Sequence, residues 1–262
     1  MKVKSISYCA LIFVLLGSLW TNFNVYVYGQ EAVNTPTTTK VVSHNIKEGQ
    51  WVRYNPPSID IKSNNKFFEL IAKAVIGNKT QGLFANLTSN STSSIKSLQG
   101  IEWIGINVTK VSGDQITTIT EIKLHGKAPI ISRPVVRNIP VNGNIAKGES
   151  IPFFALPADV KVGDRFSSIQ NNGIMPSSVV VNRTLQKTIG GHNIEVYELI
   201  GKQNAYNQTT GAASETSATM YYDKQTGIPL EFSFGIDLGI FFGTVSANIR
   251  FSAIDWSNRV GS

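Results

Sequence analysis

Residues 220–238 read MYYDKQTGIPLEFSFGIDL, and their pattern decides the fold. Met220 to Tyr222 run into Asp223-Lys224-Gln225-Thr226-Gly227, a cluster of turn formers in which Asp can bond nearby backbone amides and Gly can take a positive φ. Beyond the turn, Leu230, Phe232, Phe234, Ile236 and Leu238 alternate with Glu231, Ser233 and Asp237. Successive side chains of an extended strand point to opposite faces, so the alternation predicts an antiparallel hairpin with one dry and one wet face.

The same period of two recurs on both sides of this stretch. Ile104, Ile106 and Val108 alternate up to a break at Ser112-Gly113-Asp114, after which Ile116, Thr118, Thr120, Ile122 and Leu124 share one face. Val179 to Ile189 breaks at Gly190-Gly191 and returns as Ile194 to Ile200, and Val245, Ala247, Ile249, Phe251 and Ala253 alternate with Ser246, Asn248, Arg250 and Ser252. One helix is expected over residues 66–77 (KFFELIAKAVIG), with Asn64 or Asn65 as its cap and Gly77 as its stop. Its apolar side packs on a sheet or, alternatively, lies on a membrane surface. The polar stretch 78–99 follows as a loop.

The expected architecture is therefore mainly β: a curled antiparallel sheet built from hairpins, half-barrel or barrel-like, with one short packed α-helix. One helix cannot cover the dry faces of four hairpins, so the sheet has to roll up or fold into two layers. Its concave side is expected to carry Trp103, Phe232 and Phe234, which either fill a core or line a site for an apolar ligand.

The N-terminus reads as an export signal. Lys2 and Lys4 precede the apolar run Ala10 to Leu16, which is too short to span a bilayer but has the length of a signal core. Cleavage is expected after Gly29, giving a signal over residues 1–29. The alternative is an uncleaved anchor, disfavoured because Asn22 and Asn24 interrupt the run. Residues 30–46 form a Thr/Pro-rich tether, residues 47–257 a single β-rich domain, and residues 258–262 a tail.

Charge and composition exclude several classes. The chain of 262 residues carries 24 Lys and Arg against 17 Asp and Glu, and removing Lys2 and Lys4 with the signal leaves 22 against 17. That excess is scattered rather than gathered into a stripe, which argues against a nucleic-acid partner. The single cysteine, Cys9, lies within the signal, and His44, His125 and His192 are far apart, so no metal or other cofactor is expected. Six Asn-x-Thr sequons, at Asn78, Asn86, Asn90, Asn107, Asn182 and Asn207, are glycosylation candidates if the host modifies exported proteins. Lys47-Glu48-Gly49-Gln50-Trp51-Val52 echoes Lys161-Val162-Gly163-Asp164-Arg165-Phe166, with Lys, Gly and an apolar residue at equal spacing. Two ordinary turns leading into strands are favoured over a duplication as its source.

Leu156-Pro157 and Gly163-Asp164, followed by the run from Tyr221 to Glu231, resemble a motif set of uncharacterised exported β-rich proteins of archaea, including ammonia-oxidising lineages. The motif is a hairpin element of the form Tyr-Tyr/Trp-Asp-x-x-Thr-Gly. The resemblance covers about half of the chain beyond the signal, implies a related fold, and carries no catalytic role. At the level of fold alone, a helix with a curled sheet is similar to the half-barrels of lipoprotein carriers.

No nucleophile elbow, phosphate-cradling glycine loop or reactive thiol is present in the sequence, and no spacing makes two carboxylates converge, so no enzyme activity is expected. The expected function is that of a secreted or cell-surface, non-catalytic protein that binds an apolar or amphipathic ligand, a hydrophobic small molecule or lipid, on the concave sheet. The alternative is a structural or adhesive protein of the cell envelope, with envelope components as partners. No membrane span is expected after signal cleavage.

Overall fold

The computed structural model describes residues 45–64, 100–140, 144–145, 154–168, 176–207, 212–240 and 243–257. The expected signal, nearly all of the tether, the helix over 66–77, the loop over 78–99 and the tail lie outside the described residues. Within them all regular structure is strand. The strands are β1 (Trp51–Tyr54), β2 (Ser58–Ser63), β3 (Ile101–Ser112), β4 (Gln115–Leu124), β5 (Ile130–Ile131), β6 (Val135–Asn138) and β7 (Asn144–Ile145). They continue as β8 (Arg165–Ser168), β9 (Ser178–Ile189), β10 (His192–Asn207), β11 (Ala212–Asp223), β12 (Pro229–Ile240) and β13 (Gly243–Trp256).

All thirteen strands belong to one sheet, in the order β5-β4-β3-β1-β13-β12-β11-β10-β9-β8-β7, with β6 also beside β4 and β2 also beside β13. Every pairing is antiparallel except that of β7 with β8. The path runs from one edge to another without joining, so the sheet is not closed into a barrel.

The hairpins fall where the alternation put them. On β4, Ile116, Thr118, Thr120 and Ile122 are all buried, as are Val245, Ala247, Ile249, Phe251 and Ala253 on β13. Asn55-Pro56-Pro57 ends β1, because proline cannot donate to a ladder. The chain then resumes as β2 along the same edge of β13: Tyr54 lies opposite Ala253, and Ser58 opposite Arg250.

The sheet bends sharply. Strands β13 and β10 are three places apart in the sheet, about 14 Å if it were flat. Yet the His192 ring meets Trp256 at 6.0 Å between centroids, edge to face. At Gly190 (φ +55°) an added Cβ would lie 2.9 Å from the Ile254 carbonyl oxygen. The bend gathers Ile116 and Ile122 of β4, Val52 and Tyr54 of β1, Ile189 of β9 and Val196 of β10 into one core with Phe251 and Trp256. A second core holds Val179, Leu199, Met220, Tyr222 and Phe234, and the segment from Phe154 to Val160 crosses to seal both.

The echo between residues 47–52 and 161–166 is matched bond for bond. The Gly49 amide donates to the Val108 carbonyl at 2.9 Å, and the Val108 amide donates back to Gln50 at 2.8 Å. Gly163 and Asp164 make the same exchange with Val181, at 2.8 and 2.9 Å. The Lys47 amide donates to the Gln50 side-chain oxygen, and the Lys161 amide to the Asp164 carboxylate, each at 2.8 Å.

The β11–β12 turn is held by Asp223. Its carboxylate accepts the Gln225 amide at 3.0 Å and the buried Thr226 hydroxyl at 2.7 Å, while its backbone accepts the Gly227 amide at 2.8 Å. Gly227 (φ +75°) then accepts the Leu156 amide at 3.1 Å, tying the crossing segment to the turn. Replacing Asp223 with Ala leaves two donors without an acceptor in a buried site and is expected to cost about 3 kcal/mol. Asp223→Asn, which keeps one acceptor, costs less. Urea midpoints at unchanged slope measure the difference, and equal midpoints for all three proteins would show that the turn contributes nothing.

Candidate functional site

Phe232 and Phe234 come together, and Trp103 does not join them. Phe232 stacks on Phe251 at 4.5 Å, tilts against Phe234 at 5.6 Å and meets the edge of Tyr54 at 5.6 Å. Phe234 is only 3 % exposed. The Tyr54 hydroxyl donates to the Pro229 carbonyl, which fixes the ring that closes this group. Burial pushes the Tyr54 and Tyr222 phenols above their ordinary value, so both stay neutral donors across the physiological range.

Trp103 lies beside the buried Ile104 on β3 and therefore on the other face of that strand. There the Arg53 guanidinium sits between two indoles, 5.0 Å from the Trp51 ring centroid and 4.7 Å from that of Trp103. The Trp103 ring also covers Gly105, where a Cβ would meet it at 2.9 Å. The alternation of Ile104, Ile106 and Val108 already sets Trp103 on the opposite face, because no register shift separates Trp103 from Ile104; its size and apolarity, rather than its phase, suggest the concave side.

The face of β10–β12 opposite Phe234 is wet by its alternation, yet it carries two buried carboxylates. Tyr221 stands directly across from Glu198 on one side and Glu231 on the other. Both glutamate side chains are 7 % exposed. Glu198 accepts from Arg183 at 2.8 Å, Asn182 at 2.6 Å and Tyr221 at 3.1 Å. Glu231 pairs with Arg250 at 3.0 Å and Lys187 at 3.5 Å, and the Lys187 ammonium lies 4.0 Å from the Tyr221 ring centroid. Burial alone would raise the Glu198 carboxyl, but the bonds from Arg183, Asn182 and Tyr221 outweigh it and hold the group below its ordinary value.

Alternation assigns Glu231 to a solvated face and gives no sign that it, or Glu198, is buried. Val196, two residues before Glu198 on the same side of β10, is fully buried in the larger core. The usable signal was the set of cations spaced to meet them, Arg183 and Lys187 on β9 and Arg250 on β13.

Of the sequons, Asn78, Asn86 and Asn90 lie outside the described residues, as does the side chain of Asn207. Asn107 donates to Glu121 at 2.9 Å on the Trp51 face, and Asn182 belongs to the Glu198 network. An open cleft of about 680 Å³ lies at the far ends of β10–β13, lined by Asn204, Glu215, Asp237 and Ser246 together with Ala205 and Val245. Glu215 pairs with Lys202 at 2.8 Å, and the Ser246 hydroxyl donates to Asp237. Among the described residues no three His, Cys, Asp or Glu side chains are grouped to hold a metal ion, and no helix is long and apolar enough to cross a membrane.

No protein-family model matches this chain, and no curated protein does.

The Glu198 network yields a pH prediction. The folded state holds the carboxyl below its unfolded value, near 4.5, so its stabilisation is present above that pH and is lost as pH falls through the lower folded value. Glu198→Gln is expected to melt lower than the parent at neutral pH, with the gap closing as pH falls below the unfolded value and on through the lower folded one. Melting curves across pH check this, and a gap independent of pH would assign the loss to packing.

Proposed function

We propose that this is an exported, non-catalytic protein with a structural or adhesive role at the cell envelope. The observation that carries the reading is that the aromatic side chains offered as a ligand platform are spent on one another, Phe232 on Phe251, Phe234 and Tyr54. The carboxylates are likewise engaged by Arg183, Lys187 and Arg250, and Glu198 is shifted in the direction opposite to that of a general acid. Export rests on the N-terminal signal and tether, and the sequons accord with an extracellular setting.

A second reading, an apolar or amphipathic ligand held on a half-barrel covered by the helix over 66–77, is favoured by the open cleft at the ends of β10–β13. Fractionation of the native host with native mass spectrometry of the purified protein separates the two. The envelope reading expects the protein with the envelope and no bound mass. Free monomer in the medium would sink it, and a copurifying lipid-sized mass would favour the second.

Phe234→Ala distinguishes core from binding site in a different way. As a core residue its loss costs about 3–5 kcal/mol of folding stability. A ligand-platform residue would instead leave the melting temperature of the ligand-free protein nearly unchanged.

A further inference from the structure

The face of β1, β3 and β4 that turns away from the core carries two indoles and, at its edge, exposed aliphatic side chains beside a run of cations. Pairing fixes its members: Trp51 lies opposite Asn107 and Asn107 opposite Ile119, while Arg53, Gly105, Glu121 and Ile131 form the next row. Trp103 lies opposite Lys123, and Thr117 opposite Val136. At the edge formed by β5 and β6, Ile131 is 60 % exposed and Val136 55 %, which with Val162 makes them the most exposed large aliphatics among the described residues.

The stretch of chain that forms this edge carries charge of one sign. From Ile122 to Pro140 the sequence has Lys123, Lys127, Arg133 and Arg137 and no carboxylate. Arg137 turns inward, donating to Thr118 at 3.1 Å, whereas Lys127 and Arg133 are exposed. The nearby carboxylates are Glu121, bonded to Asn107; Glu102, 3.9 Å from His125; Glu48, which accepts the Val111 amide; Asp255, opposite Arg53; and Asp114, whose backbone accepts the Ile139 amide.

We propose that this face docks the protein on an anionic lipid surface. Exposed aliphatic tips enter the acyl boundary, half-buried indoles suit the headgroup level, and Lys and Arg meet the anionic headgroups. The Trp51 and Trp103 rings are engaged by Arg53, and the exposed tips, Ile131 and Val136, favour a lipid over a polysaccharide because branched aliphatic chains offer no flat ring for a sugar to stack on. The proposal names the partner of the envelope reading and rests on it. A vesicle assay can fail while fractionation still finds the protein in the envelope, so the two remain separable.

The test uses the full chain with Cys9→Ser and an environment-sensitive fluorophore on Ile131→Cys, compared with the same label on Ile200→Cys. Both positions are exposed, so neither substitution opens a cavity. The N-terminal apolar run can carry the chain to a vesicle, but it cannot move a label at position 131 selectively. The expected result is a blue shift at 131, and not at 200, with vesicles of anionic phospholipid, weakened by salt. Lys127→Gln with Arg133→Gln is expected to lower the vesicle affinity read at that label about thirtyfold. No shift at 131, an equal shift at 200, or an equal shift with zwitterionic vesicles overturns the proposal. So does a shift that grows with protein concentration without vesicles, which would assign the face to a second copy of the chain.

Discussion

The sheet depends on the backbone of β13 being paired along both edges. One edge meets β12 from Gly243 to Ser252, while the other meets β2 from Val245 to Arg250 and β1 from Ala253 to Trp256. Among the described residues the path through the sheet from β1 to β12 passes only through this strand. Its amides and carbonyls lie beside Ile249, Phe251 and Trp256 in the larger core, where an unpaired group would cost as much as a lost hydrogen bond. Ladder and core therefore reinforce each other: the apolar side chains exclude water from the bonds, and the bonds hold the side chains on one side.

The bend around β13 explains why carboxylates are buried on a face whose alternation is polar. Bringing the β9–β10 tip to Trp256 requires a residue without a Cβ at Gly190, and it draws Ile189 and Val196 into the core. Glu198 and Glu231 stand just beyond, on the same side. Burying a charge without a partner costs several kcal/mol, and each glutamate has a cation on a neighbouring strand, Arg183 for Glu198 and Arg250 for Glu231. The polar network is thus a consequence of the curvature, and its geometry is as fixed as that of the aromatic group behind it.

Much of the fold was legible because a period of two is a property of the strand itself. The dry faces of β4 and β13 were read residue by residue, from Ile116 to Ile122 and from Val245 to Ala253. The open topology was not legible: a barrel and an open sheet demand the same alternation and differ in whether two edges meet. Trp103 was placed among the interior aromatics because it is large and apolar, yet the face of a residue follows its phase, and Trp103 is out of phase with Ile104, Ile106 and Val108. For Glu198 and Glu231, alternation gave the correct face but not the burial, since burial depends on what the sheet folds onto.

The paired turns at residues 47–50 and 161–164 show how a weak likeness in letters can hide a strong one in chemistry. Gln50 and Asp164 differ as residues, but each presents a side-chain oxygen that accepts the lysine amide three residues earlier. Gly49 and Gly163 both take positive φ and bond a valine on the partner strand. Each turn then leads into a strand that pairs with the first strand of a hairpin, giving β1-β3-β4 in one arm and β8-β9-β10 in the other, in the same order along the sheet. The sheet therefore uses one turn-and-hairpin unit twice. Strands β11 to β13 supply the bridge, and the two copies differ in surroundings: the hairpin of the second enters the bend, while that of the first keeps one face turned outward with Trp103 and Ile131 on it.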